Sequence, residues 1–143
     1  MTRPDQLVGL VIGGALGDAL GLPSEGLSPR RQQRLLPGDV GHAFFLGRGM
    51  VSDDTEHAFM TAQALLAAQG DVDRFRRSLA WQLRWWFLGL PAGVGLATAR
   101  SCLRLWLGVP PDRSGVHSAG NGPAMRSAIL GAVFADNAAR RRE

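Results

Sequence analysis

Residues 52–70, SDDTEHAFMTAQALLAAQG, decide how the rest of the chain is read. Serine is a good helix N-cap, and carboxylates in the first turn interact favourably with the helix dipole. An Ala- and Leu-rich run follows, and Gly70 is a natural stop. The stretch therefore predicts a helix ending near Gln69, with Ala58, Phe59, Ala62, Leu65 and Leu66 as its buried face. One acid would suffice for the cap. Two adjacent acids repel each other, so Asp53 and Asp54 raise a second possibility. With the Ser52 hydroxyl they form a hard oxygen cluster of the kind that holds Mg²⁺, Mn²⁺ or Ca²⁺. Capping and metal binding are both open at this point.

Outward from this helix the pattern stays helical. Period-two alternation is absent and β-branched residues are few, so an all-α fold is expected. A first helix is predicted from about Asp5 to Ala19 or Leu20. Gly9, Gly13, Gly17 and Gly21 recur every four residues on it and share one face. Each glycine costs a helix about 1 kcal/mol relative to alanine, so the row predicts close approach by another helix or a ligand. Residues 23–51 read as a long loop with Pro23, Pro29 and Pro37 and a short helix at Arg30–Leu36. Irregular segments of that length are usually functional.

After Gly70, a helix capped by Asp71 is predicted over Val72–Leu88. It has two apolar stripes, Phe75/Leu79/Leu83/Trp86 and Trp81/Trp85/Leu88, which suggests an interior helix. A fourth is predicted over Val94–Leu107 and a fifth over Pro123–Ala139, with proline in the first turn. No internal repeat is visible.

The 143 residues suffice for one domain with a core. All 16 basic residues are arginine, which accounts for the high pI. They are scattered and form no reader motif, so no nucleic-acid partner is expected. The single Cys102 in an apolar run reads as a buried thiol, and a cytoplasmic location is expected. The apolar run Leu7–Leu22 is shorter than a membrane span and contains Asp18, so no membrane partner is expected.

Three further motifs could carry chemistry. GDALGLPSEG, residues 17–26, puts Asp18 at a helix end and Glu25 in the following loop. SAGNGPAMR, residues 118–126, is a Gly-Asn-Gly turn opening a helix, where free amides favour an anion such as phosphate. His117 precedes it closely enough to touch the same ligand. His57, on the helix surface, reads as solvated or as support for a ligand-contacting group.

In this order the motifs GLVIGGALGDALGLPSE, SDDTEHAFMTAQAL and GNGPAMRSAILGAVFAD resemble those of the ADP-ribosylglycohydrolase family, which includes the dinitrogenase reductase-activating glycohydrolases. The resemblance covers about residues 6–136. It implies an orthogonal α-helical bundle and a centre of two Mg²⁺ or Mn²⁺ ions. It also implies hydrolytic removal of ADP-ribose from a modified protein side chain or a related adduct.

By this resemblance Ser52, Asp53 and Asp54 are metal ligands, and Asp53, Asp54 and Glu25 serve catalysis, Glu25 as a mobile acid at the metal and water. Ser118, Gly120, Asn121 and Gly122, with His117, Met125 and Arg126, would bind ADP-ribose. Family members run to about twice this length, and their second half supplies an Asp-x-Asp-Thr motif. Here Asp71-Val72-Asp73-Arg74 has the spacing but lacks the Thr and reads as a helix cap. The expectation is thus a truncated family fold with part of the metal ligands, impaired hydrolysis, and self-association or a complementing carboxy-terminal half. In the second expectation the Trp81/Trp85/Leu88 stripe is the docking face. A non-catalytic ADP-ribose binder and an interaction module are the alternatives.

Overall fold

The computed structural model describes residues 4–39, 41–91, 93–120 and 122–139. Among these residues all regular structure is helical: α1 (Pro4–Gly21), α2 (Pro29–Leu35), α3 (Asp53–Ala68), α4 (Val72–Leu88), α5 (Leu96–Trp106) and α6 (Ala124–Val133). Short 3-10 turns lie at Leu22–Ser24 and Phe45–Gly47. The all-α reading holds.

The caps explain the boundaries. The Ser52 hydroxyl accepts a hydrogen bond from the Asp54 amide at 3.3 Å and starts α3. Gln69 then turns left-handed (φ 50°) and Gly70 follows at φ 91°. The Asp71 carboxylate accepts from the Arg74 amide at 2.8 Å and starts α4, so the Asp-x-Asp spacing here is a helix cap. Helix α5 begins at Leu96 because Gly95 is extended (φ −66°, ψ 145°). Helix α6 stops at Val133, short of the predicted Ala139, because Phe134 leaves helical geometry at φ −107°, ψ 29°.

Helix α3 is the centre of the bundle: α1, α4 and α6 pack on it, and α5 packs on α4. Its buried positions are Asp53, Thr55, His57, Met60, Thr61, Ala64 and Ala68. That corrects the predicted face. Phe59 is 47% exposed and Leu66 79%, while Ala58, Ala62 and Leu65 are half-buried. Hydrophobicity alone pointed to the bulkier side. The three packed neighbours instead enclose a face of small and polar residues. With Ala19, Ala80, Cys102, Leu105 and Ile129 from the other helices, Met60, Ala64 and Ala68 complete a core of mostly small side chains.

The two stripes of α4 separate in the fold. Phe75, Leu79, Leu83 and Trp86 are half-buried, and Trp81, Trp85 and Leu88 stay exposed, so α4 is not an interior helix. Trp81, Trp85 and Trp106 pack edge to face in a row, with ring centroids 5.5 and 5.6 Å apart. The Trp106 indole donates to the Arg84 carbonyl at 3.1 Å, and Arg84 Nε donates to the Leu105 carbonyl at 2.9 Å, which fastens α5 to α4.

The glycine row of α1 meets no neighbour. A Cβ built on Gly9, Gly13, Gly17 or Gly21 would have nothing within 4 Å, against the predicted close approach. Val8, Ile12 and Leu16 are also exposed. The helical segment Pro4–Ser24 is long and apolar enough to cross a membrane by length and composition, because the helix starts before Leu7. Its carboxyl end, however, is tied into the bundle through Asp18.

Candidate functional site

Asp18 sits at the end of α1 and faces the start of α3. Its carboxylate accepts from the Ser52 amide and the Ser52 hydroxyl, each at 2.8 Å. It also accepts from the Thr55 amide at 3.3 Å and the Thr55 hydroxyl at 2.5 Å. Burial acts to raise its pKa, but the bonds from Thr55 and Ser52 outweigh burial and hold the carboxyl below its usual range. Asp18 therefore stays ionised and sets the angle at which α3 leaves residue 52. The sequence singled out Asp18 only as part of a helix exit. Its one local signal was a lone acid in an apolar helix.

Asp53 and Asp54 occupy the first turn of α3, and the Asp53 residue is 5% exposed. Burial first, then the charges of Asp54 and Glu25, push the Asp53 carboxyl up to about 6, with Asp18 adding to the effect. Burial and the charge of Asp18 also raise Asp54. Gly93 closes over Asp53. A Cβ there would lie 2.7 Å from Asp53 Oδ1 and 3.8 Å from the Ser52 Cβ, and the backbone has φ 82°. Only glycine fits this contact without strain. Sequence reasoning missed Gly93, which directly precedes the helix predicted over Val94–Leu107.

A cavity of about 580 Å³ opens in front of these groups. Glu25, Asp53, Asp54 and Gly93 are among its lining residues. So are Ser118, Gly120, Gly122, Met125 and Arg126, together with Thr98 and Cys102. The fold thus brings Glu25, the Asp pair and the turn before α6 to one cavity. Ser52 lies behind it, under Asp18. His117 is exposed and is not among the lining residues, and Asn121 lies outside the described residues. The Ser118 hydroxyl accepts from the Gly120 amide at 3.0 Å, so the turn is braced on itself. Pro123 precedes α6 without a side-chain cap, which leaves the helix start open to an anion. Cys102 is 1% exposed, and burial raises its thiol pKa, so it stays protonated and is no nucleophile.

Arg126 reaches back from α6 to His57 on α3. Its Nε and Nη2 lie 3.2 and 2.7 Å from His57 Nδ1. A guanidinium only donates, so Nδ1 must accept and the imidazole proton sits on Nε2. Burial, aided by the Arg126 charge, lowers the imidazole pKa to about 3. Far from solvated, His57 is fully buried and packs edge to face on Trp86 at 4.3 Å. The Trp86 indole donates to Glu56 at 2.6 Å. Among the described residues His57 Nε2 has no hydrogen-bond partner, a feature that costs about 1–3 kcal/mol in a core. Burial also lowers the Arg126 pKa, against the opposing influence of Cys102 and Asp53.

Among the described residues no group of three or more His, Cys, Asp and Glu side chains converges as a ready metal cage. The donors present fit one side of a hard-cation site. Among the described residues Asp53 and Asp54 are carboxylates in no ion pair, and the Ser52 oxygen, which donates once and accepts once, keeps one lone pair.

Comparison with known proteins gives the arrangement its context. The chain is 35% identical over 133 residues to an uncharacterized protein of Archaeoglobus fulgidus, covering 87% of this chain and 41% of that protein. It is 32% identical over 150 residues to the uncharacterized protein YegU of Escherichia coli, covering 92% of this chain and 43% of that one. The chain spans less than half the length of these curated relatives. The family model for ADP-ribosylglycohydrolase matches residues 1–143. The match along the whole sequence, with which the all-helical fold of the described residues agrees, establishes that this chain belongs to the ADP-ribosylglycohydrolase family.

Proposed function

We propose that this chain supplies the carboxylate and ADP-ribose-binding portion of a hydrolase that removes ADP-ribose from a modified protein side chain or a related adduct. One observation carries this reading. The acidic group Glu25, Asp53 and Asp54 and the turn residues Ser118, Gly120 and Gly122, with Arg126, line the same cavity. A ligand with a diphosphate at one end and a glycosidic carbon at the other needs both groups in one cavity.

Asp53, Asp54 and the remaining lone pair of Ser52 would hold Mg²⁺ or Mn²⁺, and a bound ion would polarise the ribose oxygens and lower the pKa of water. The protein's own groups do the rest. Asp18 fixes Ser52 and Thr55, and through them the start of α3. Gly93 covers Asp53 and narrows its access to water. Glu25, an exposed lining residue, would take a proton from water or give one to the leaving group. The open start of α6 and Arg126 would hold the diphosphate.

By family resemblance the remaining metal ligands come from an Asp-x-Asp-Thr motif, which the 143 residues do not contain. The chain alone is therefore proposed to bind metal weakly and to turn over little. A complementing half would restore those ligands, and the exposed apolar faces would favour self-association of the chain alone. A second reading, an ADP-ribose binder without catalysis, is favoured by the lack of a converging three-carboxylate group among the described residues. Calorimetry with Mn²⁺ and ADP-ribose, run beside an assay of ADP-ribose release, separates the two readings. Asp54→Asn and the double Asp53→Asn/Asp54→Asn variant should weaken Mn²⁺ binding by about tenfold or more. If the double variant binds Mn²⁺ like the parent, the carboxylate site lies elsewhere.

A further inference from the structure

We infer that His57 is a positioning residue that holds the Arg126 guanidinium at the cavity wall as a receptor for diphosphate. The inference rests on the ADP-ribose reading for the identity of the full ligand, and on the geometry alone for the His57–Arg126 pair.

Arg126 is half-buried and lines the cavity. The ion pairs among the described residues are Arg76–Asp73 and Arg113–Asp112, both on the surface, and Arg126 belongs to neither. A guanidinium removed from water without a carboxylate partner is costly unless its N–H groups are engaged or a ligand supplies the charge. His57 engages two of its nitrogens, at 3.2 and 2.7 Å, from a site with no exposure to solvent. This fixes one edge of the guanidinium and leaves its remaining N–H donors for the cavity.

The choice of histidine follows from the chemistry. A carboxylate at position 57 would neutralise the arginine and spoil it for an anion. A neutral acceptor orients it and leaves its charge intact. The imidazole is itself held by the edge-to-face Trp86 ring, which Glu56 fixes in turn through the indole N–H. The charged group on His57 is Arg126 on α6, the neutral Trp86 on α4 packs on the imidazole, and Asp53 acts on Arg126 only at longer range, with no ion pair between them. A chain of contacts thus runs from Glu56 through Trp86 and His57 to Arg126 at the cavity. Low basicity keeps the imidazole an acceptor at neutral pH.

The test uses the full chain, two variants and two probes. His57→Asn keeps an acceptor oxygen where Nδ1 lies; His57→Leu fills the space without one. ¹⁵N NMR of the ligand-free parent should show His57 as the neutral Nε2–H tautomer and the Arg126 Nε–H protected from exchange. Inorganic pyrophosphate and ADP-ribose are then titrated by calorimetry. The His57→Leu variant should lose both the Arg126 protection and about tenfold or more in pyrophosphate affinity, and the His57→Asn variant should recover most of each. If His57→Leu does not fold, the parent's tautomer and the affinity of His57→Asn decide the matter. A proton on Nδ1, equal losses in both variants, or no pyrophosphate binding by the parent would overturn the inference. Pyrophosphate binding without ADP-ribose binding would leave the His57–Arg126 pair standing and refute the ADP-ribose reading instead.

Discussion

Replacing Gly93 by alanine should damage the site and the fold together. Two effects combine. First, the backbone at Gly93 has φ 82°, where an L side chain costs roughly 1–2 kcal/mol. Second, the new Cβ would stand 2.7 Å from Asp53 Oδ1, and ordinary van der Waals contact begins near 3.4 Å. The carboxylate must therefore retreat by about 0.7 Å, or the segment before α5 must lift by as much. Asp53 has little room, because its helix start is anchored by Ser52 and Thr55 on Asp18. We expect a loss of about 2 kcal/mol in urea unfolding, and Mn²⁺ binding weakened by more than that loss of stability explains. Gly131→Ala is the control. It lies inside α6, a Cβ there meets nothing within 4 Å, and it should stabilise the chain by up to about 1 kcal/mol. If Gly93→Ala unfolds within about 0.5 kcal/mol of the parent and binds Mn²⁺ equally well, Gly93 does not press on Asp53 and the account of the acidic wall is wrong.

Other predictions address the turn, the glycine row and the buried histidine. Gly122→Val would place a branched side chain toward Thr98, whose Oγ1 is 3.7 Å from the ideal Cβ position, and should abolish ADP-ribose binding with helicity by circular dichroism unchanged; unchanged affinity would remove the turn as the diphosphate cradle. Gly13→Ala and Gly17→Ala should each stabilise the isolated chain by roughly 0.8–1 kcal/mol in thermal unfolding, since their face of α1 is open; destabilisation would reveal a close neighbour on that face, such as a second copy. His57 titrates near 6.5 when unfolded and about 3 when folded, so between those values the unfolded chain binds more protons and stability falls as pH drops. The slope is half of about 1.4 kcal/mol per pH unit at the unfolded pKa and approaches that full value below it, so between pH 6.5 and 5 the parent should lose roughly 1.6 kcal/mol more than His57→Asn, the raised Asp53 pKa being common to both. Parallel stability–pH curves for the two proteins would show that His57 is not buried as a neutral base.

The elements that could be read from the sequence are those set by contacts a few residues apart. Ser52 caps its own helix through Asp54, Asp71 caps its own through Arg74, and Gly70 ends α3, so the starts of α3 and α4 and the carboxylate pair were legible as local chemistry. The family motifs extended that reading to Glu25 and to the turn before α6. What the sequence misjudged was which side of a helix would be covered. Phe59 and Leu66 look like core residues on hydrophobicity, yet α1, α4 and α6 close over Met60, Thr61 and Ala64 instead. The decisive polar contacts were also invisible. Asp18 reaches Ser52 across 34 positions, and Arg126 reaches His57 across 69. Gly93 presses on Asp53 from the segment before α5. None of these pairs shares a helix, so no period of 3.6 records them. They exist because three helices meet at the start of α3. There burial removes the competing water, and Asp18, His57 and Arg126 find their partners across the fold.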